Sequence, residues 1–264
     1  MITPEIEALR RVMTKDEGSH PMRVAIITPY AREPEEQLRQ CHESVIAQTH
    51  AATHILVADG SPAPFVSGWN AEHIALPVRH DDCGDTPRAI GAMSAIARGF
   101  DAIAFLDADN WITPDHVATM LELHASTGAA IVIAARALHR LDGSLLRASG
   151  EGGDGVDHVD TNCLFLTSAA YRIVPVWALV PKRLHVVGDR LVWSTIQALG
   201  YKLARATRPT VAYRTAYRVH YEEQGEAPPA GAKDNANIRE ALAWWRDLPD
   251  ADRKLVFRRL GLKV

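Results

Sequence analysis

Asp107-Ala108-Asp109 places two carboxylates two residues apart, directly after the apolar run Ile103-Ala104-Phe105-Leu106. Side chains alternate along an extended strand, so Asp107 and Asp109 face the same way where a strand would end. Carboxylates that close repel unless a cation lies between them. Hard oxygen ligands suit Mg²⁺ or Mn²⁺, and Mg²⁺ is commonly shared between one or two carboxylates and a substrate's phosphates. The spacing therefore predicts a metal–diphosphate site. The alternative is a polar turn that caps a helix beginning near Pro114.

Strands and helices must hold these residues in place. Val24-Ala25-Ile26-Ile27 and Ile55-Leu56-Val57-Ala58 are also unbroken apolar runs, as expected of strands buried on both faces of a parallel sheet. They end at Thr28-Pro29-Tyr30 and Asp59-Gly60-Ser61. Further strands are predicted over 73–78, 103–106 and 129–135, with helices over 34–48, 86–99 and 114–126 between them. This alternation predicts an α/β layered fold, whose ligands bind beyond the carboxyl ends of the strands. Three polar clusters fall on that edge and form a crevice. No G-x-G-x-x-G or Walker loop follows any of these strands, so dinucleotide and P-loop sites are not supported.

The pattern changes after residue 136. Gly150 to Gly155 reads as a loop, 156–160 as extended, 162–166 as a strand and 187–199 as a helix. Residues 220–235, rich in Gly, Pro and charge, read as a mobile loop. Two helices are expected beyond residue 238, and a short amphipathic helix over 3–14 reads as an appendage. The divisions expected are an appendage over 1–20, a main domain over 21–220 and a tail over 221–264. The main domain splits near residue 135 into a nucleotide half and an acceptor half.

Composition is ordinary for a soluble globular protein: 47% hydrophobic and 23% charged residues, with a net charge of −3. No global basic field favours nucleic acid. No apolar run approaches the ~20 residues that cross a bilayer. Cys41, Cys83 and Cys163 are scattered and odd in number, which argues against a disulfide framework or zinc knuckle and for a reducing cytoplasm. A peripheral membrane association and an oligomer both stay open.

Three strings in order carry a resemblance: Ser44-Val45-Ile46-Ala47-Gln48-Thr49, Ile55-Leu56-Val57-Ala58-Asp59-Gly60-Ser61 and Phe105-Leu106-Asp107-Ala108-Asp109-Asn110. Over roughly residues 22–205 the chain resembles the family 2 inverting glycosyltransferases of the GT-A type. The resemblance implies a Rossmann-like sandwich, with a mostly parallel central sheet, helices on both faces and here a C-terminal helical tail. It implies a nucleotide-sugar donor, usually a UDP-sugar, a carbohydrate or other hydroxyl acceptor, and Mn²⁺ or Mg²⁺. Thr28, Pro29 and Tyr30 match the end of the first strand that lines the nucleoside pocket. Asp59 matches the acidic residue that accepts the base N–H, while Ala58 replaces the acidic residue before it. Arg88 and Gly91 fall in a segment usually written with an Arg-Asn pair, and Ala89 replaces the Asn. Arg88 is then a partner for the diphosphate, which its planar fork suits. Asp107, Ala108 and Asp109 match the nucleotide- and metal-binding D-x-D. Asp189, in Gly188-Asp189-Arg190-Leu191, matches the general base. Its alternative role is to cap the following helix.

His220 corresponds to a position that supplies a third metal ligand in some GT-A enzymes. Asp157, His158, Asp160 and Asn162 are candidates to line the acceptor pocket. Trp111 and Trp193 are expected in the core rather than stacked on a sugar. Trp244-Trp245 covers either apolar surface or a partner interface. A nucleotidyltransferase is the first rival, but it opens with a Gly-rich loop and a Lys where this chain has Thr28-Pro29-Tyr30-Ala31-Arg32-Glu33. A non-catalytic nucleotide-sugar-binding subunit is the second.

Overall fold

The computed structural model describes residues 20–148 and 158–262. The helix expected over 3–14 and the loop over 150–155 lie outside the described residues, as does Asp157. Strand β1 (Val24–Tyr30) pairs in parallel with β2 (Ala52–Ala58) and β4 (Ala102–Phe105), and β3 (Glu72–Ala75) lies parallel to β2. The register sets Tyr30 beside Ala58 and Ile27 beside Phe105. The strand ends that carry the three polar clusters therefore lie close along one edge.

The unbroken apolar runs do what their composition predicts. Ile55 and Val57 enter the main core, while Leu56 and Ala58 enter a smaller cluster with Tyr30, Leu38 and Val66. Alternation puts these pairs on opposite sides, so β2 is covered on both faces. Helices α1 (Glu35–Ile46), α2 (Asp85–Ala97) and α3 (His116–Thr127) lie where they were expected. Helix α3 begins after Asp115, so neither Asp107 nor Asp109 caps it.

The α/β class holds, and the largely parallel sheet also takes in antiparallel strands. Strand β8 (Leu164–Thr167) runs antiparallel to β4 and to β6 (Ile131–His139). Strand β9 (Leu203–Arg214) is parallel to β6, and the short β5 (Trp111–Ile112) and β7 (Leu145–Arg147) pair antiparallel with β9 and β6. The sheet order is β3-β2-β1-β4-β8-β6-β9-β5, with β7 beside β6.

The rest of the chain folds back on this sheet as short helices: α4 (Pro175–Leu179), α5 (Gly188–Leu199), α6 (Arg218–Glu222), α7 (Ala236–Asp247) and α8 (Asp250–Arg259). The stretch expected to be a loop over 220–235 starts in α6, and is tied down by a parallel bridge between Tyr217 and Lys233. Trp244 and Trp245 pack against the main core, and Trp245 meets Phe257 edge-on at 5.5 Å. Trp193 is buried in that core, whereas Trp111 lies under the Arg214 guanidinium at 5.0 Å.

Candidate functional site

Asp107 follows β4 at the strand edge, and both of its oxygens are held. Arg88 Nη2 donates to Oδ1 at 2.7 Å, and Asn162 Nδ2 donates to Oδ2 at 2.9 Å. The Asp107 N–H in turn donates to Asn162 Oδ1 at 2.5 Å. Arg88 is buried on α2 and is shared with Asp85, whose Oδ1 lies 3.3 Å from Nη1. His185 reaches the other Asp85 oxygen at 2.7 Å from a part of the chain distant in sequence. This chain of charges fixes the rotamer of Asp107.

Asp109 is held differently. Arg214, at the end of β9, donates to the Asp109 backbone carbonyl and to Gln40 Oε1, while its N–H donates to Asn110 Oδ1 at 2.7 Å. The turn is thereby clasped and the Asp109 carboxylate is left over. Burial, and then the charge of Asp107, push its pKa up to about 7.

A cavity of about 390 Å³ opens at this edge, lined by Arg88, Asp107, Asp109, Asp160 and Asp189 among others. Asp189 is the second residue of α5. The residue capping that helix is Val187, so the capping alternative for Asp189 does not hold. Burial raises the Asp189 pKa, against an opposing pull from His158, whose Nε2 lies 4.0 Å away. Gly188 lets the helix start close to the site: a Cβ there would lie 2.9 Å from Asp85 Oδ2.

A second cavity of about 170 Å³ adjoins the first and shares Asp160, Asp189, Tyr213 and Tyr217 with it. His220 belongs to this second space. Its Nδ1 lies 2.7 Å from Thr215 Oγ1, and burial, then Arg136, push its pKa down to about 4. Among the described residues no three His, Cys, Asp or Glu side chains converge as a metal-binding group, so His220 is not brought to the aspartate pair.

Several other expected residues have partners within the fold. Thr28 is fully buried, its hydroxyl 2.8 Å from His54 Nε2. Pro29 is buried against Gly84. Tyr30 is buried as well; its hydroxyl lies 2.7 Å from His73 Nε2 and accepts the Ala63 N–H at 3.0 Å. Ala108 sits in the small core cluster. Asp59 accepts the His80 N–H at 2.9 Å, the Asp81 N–H at 3.3 Å and a contact from His80 Nδ1 at 2.8 Å. Burial raises its pKa, but these hydrogen bonds outweigh that and hold the group ionised. Asp59 thus braces the turn over 80–81. Asp160, on the wall of both cavities, is paired with Arg136, and buried Asn162 links Asp160 to Asp107.

Asp85, His185, Arg214, Tyr213, Tyr217 and Lys233 were missed. Asp85 had a signal, since it sits three residues before Arg88 at the start of the Ala-rich helix. Arg214 and Tyr213 were hidden because β9 was not recognised.

Residues 25–151 match the model of glycosyl transferase family 2. The matched stretch holds all three motifs, and the chain resembles the family 2 glycosyltransferases of the GT-A type. Among curated proteins none matches the chain. Among solved structures it is similar to S. aureus TarS, with a TM-score of 0.55 at 12% identity over 89% of this chain. It spans 42% of that TarS chain. TarS 1–349 in complex with UDP matches with a TM-score of 0.52 at 12% identity, over 89% of this chain and 69% of that one. The complex with UDP-GlcNAc matches with a TM-score of 0.53 at 11% identity, over 89% and 70%. These likenesses are of fold. Among the described residues no helix is long and apolar enough to cross a membrane.

Proposed function

We propose that this chain is a metal-dependent, inverting glycosyltransferase that moves a sugar from a nucleoside diphosphate sugar to an acceptor hydroxyl. The observation that carries the reading is the single cavity lined by Asp107, Asp109 and Asp189 beyond the parallel strands. The likeness to structures solved with UDP and UDP-GlcNAc supports a uridine diphosphate sugar as donor.

The residues present fit a divalent cation. The donor set is all oxygen, and the Asp109 carboxylate is half-buried, close to a like charge and held towards protonation. A cation there would relieve that repulsion. No third protein ligand joins the pair among the described residues, which leaves the other positions to phosphate oxygens and water, as suits Mg²⁺ or Mn²⁺. When bound, the ion would neutralise charge on the departing diphosphate.

Asp189 lies on the wall shared by both cavities, which supports a role for it as general base between donor and acceptor. Its raised pKa favours taking a proton. The acceptor hydroxyl would give that proton to Asp189 as its oxygen bonds to the anomeric carbon. The bond from that carbon to the diphosphate oxygen breaks on the opposite side, which inverts the centre. Arg88 and Asn162 hold Asp107 while this happens, and Asp85 holds Arg88.

The test is product analysis with Mn²⁺ and a panel of nucleotide sugars. UDP release without pyrophosphate is expected. Pyrophosphate released from a nucleoside triphosphate and a sugar phosphate would instead make the chain a nucleotidyltransferase.

A further inference from the structure

The first cavity holds more charge than the proposed reaction has used. Asp85, Asp107, Asp109, Asp160, Asp189 and Asp234 bring six carboxylates to its wall. The cations facing them are largely engaged: Arg88 is divided between Asp85 and Asp107, and His185 is held by Asp85. Asp160 is matched by Arg136. Lys233 stands apart. It lines the same cavity, is exposed, and has no carboxylate within ion-pair distance among the described residues. Its ammonium rests over the Tyr217 ring, 5.7 Å from the centroid.

The backbone around Lys233 is hydrogen-bonded, while its side chain is exposed. The Lys233 N–H donates to the Ala216 carbonyl at 2.7 Å, and the Arg218 N–H donates to the Lys233 carbonyl at 2.9 Å. These bonds pin the residue to the end of β9 and the start of α6. A long, flexible side chain on a fixed base can move between partners without unfolding anything. The Tyr217 ring is a weak partner at an exposed site, and a diphosphate is a stronger one.

We infer that Lys233 is a positioning residue for the donor: its ammonium leaves the Tyr217 ring and binds the diphosphate. This deepens the proposed function and rests on it. One divalent ion and one lysine would together balance the charge of a nucleoside diphosphate in a cavity whose other cations are already paired. Tyr217 would then be released to face the second cavity, where it is also part of the wall.

Titration of UDP and of uridine into the protein with Mn²⁺ tests this. Lys233→Met should weaken UDP by about 10- to 100-fold, the range of a lost charged hydrogen bond, and leave uridine unchanged. Lys233→Arg should recover most of the UDP affinity, and both variants should keep the melting midpoint because the bridge is made by backbone atoms. Equal UDP affinity in Lys233→Met and the unmodified protein would overturn the inference. So would equal losses for UDP and uridine, or a lowered midpoint, each of which marks a structural role. If the unmodified protein binds neither UDP nor uridine, the glycosyltransferase reading itself is what fails.

Discussion

Asp107 and Asp109 are neighbours of one chemical type in two electrostatic settings, and substitution should separate them. Asp107 is the counter-charge of the buried Arg88 guanidinium. Asp107→Asn leaves that charge underpaired, so it should destabilise the fold by about 1–3 kcal/mol as well as weaken the donor. Asp109 pays for its position when ionised, since burial and Asp107 hold its pKa near 7 against the ordinary 3.8. Above pH ~7 the metal-free protein carries that penalty, so Asp109→Asn should not lower the melting midpoint while donor binding is lost. Melting curves at pH ~8 with chelator present check both signs; a midpoint that falls for Asp109→Asn would show a structural carboxylate. Asp189→Asn should keep UDP affinity and reduce transfer by about 10²- to 10⁴-fold. Equal turnover in that variant would place the base elsewhere. Spacing and resemblance put Asp107, Asp109 and Asp189 forward, and the fold brings all three to one cavity. The bracing around them was not legible in the sequence. Asp85 to His185, and Asn162 to Asp107, join residues far apart in the chain, which local pattern does not report.

Helix α2 decides where Arg88 sits, and its packing against the sheet is close. A Cβ on Gly91 would lie 2.6 Å from Ile27 Cγ2 and 2.8 Å from Val57 Cγ2. Gly91→Ala must therefore push α2 off β1 and β2, at a cost of about 1–3 kcal/mol. At about 2–4 °C per kcal/mol for a domain near this size, the melting midpoint should fall by several degrees, and Arg88 should shift from Asp107. An unchanged midpoint would mean that the contact relaxes freely. The elements around α2 were legible because continuous apolar strands and amphipathic helices repeat with their own periods. Strand β9 was not. Its first seven residues are half-buried or exposed and include Arg205, Arg208 and Pro209, and its pairing with β6 slips where Pro209 sits opposite Ala135. A register break of that kind tolerates proline and erases the apolar signal.

Among the described residues of the whole molecule, His54 and His116 are almost completely buried and are kept neutral in the interior. Burial, with His42 adding to it for His54, takes His54 down to about 3, and burial takes His116 down to about 4. In the unfolded chain both titrate near pH ~6.5. The folded values lie below the unfolded ones, so below pH ~6.5 the unfolded state takes up protons that the folded state refuses. Stability from these two groups is complete above that pH and declines as the pH falls towards 4 and 3, by up to ~1.4 kcal/mol per pH unit for each histidine. Melting midpoints should drop between pH 7 and pH 5, and His54→Gln should flatten that slope. An identical slope in the variant would contradict the assignment.

At the same scale the tail closes the site. Asn237 and Ile238 of α7 reach the cavity, while Trp244 and Trp245 seat that helix on the core. Sequence pattern foresaw the two helices but left open whether the tryptophans meet this chain or a partner. Helical periodicity marks an apolar face without naming what covers it.

The claim that the aspartate pair is a metal-dependent nucleotide site is tested most directly by calorimetric titration of UDP with Mn²⁺, with chelator, and with Asp109→Asn. We expect binding with Mn²⁺, its loss with chelator, and a loss of at least about tenfold in the variant. UDP affinity that is the same under all three conditions would contradict the account.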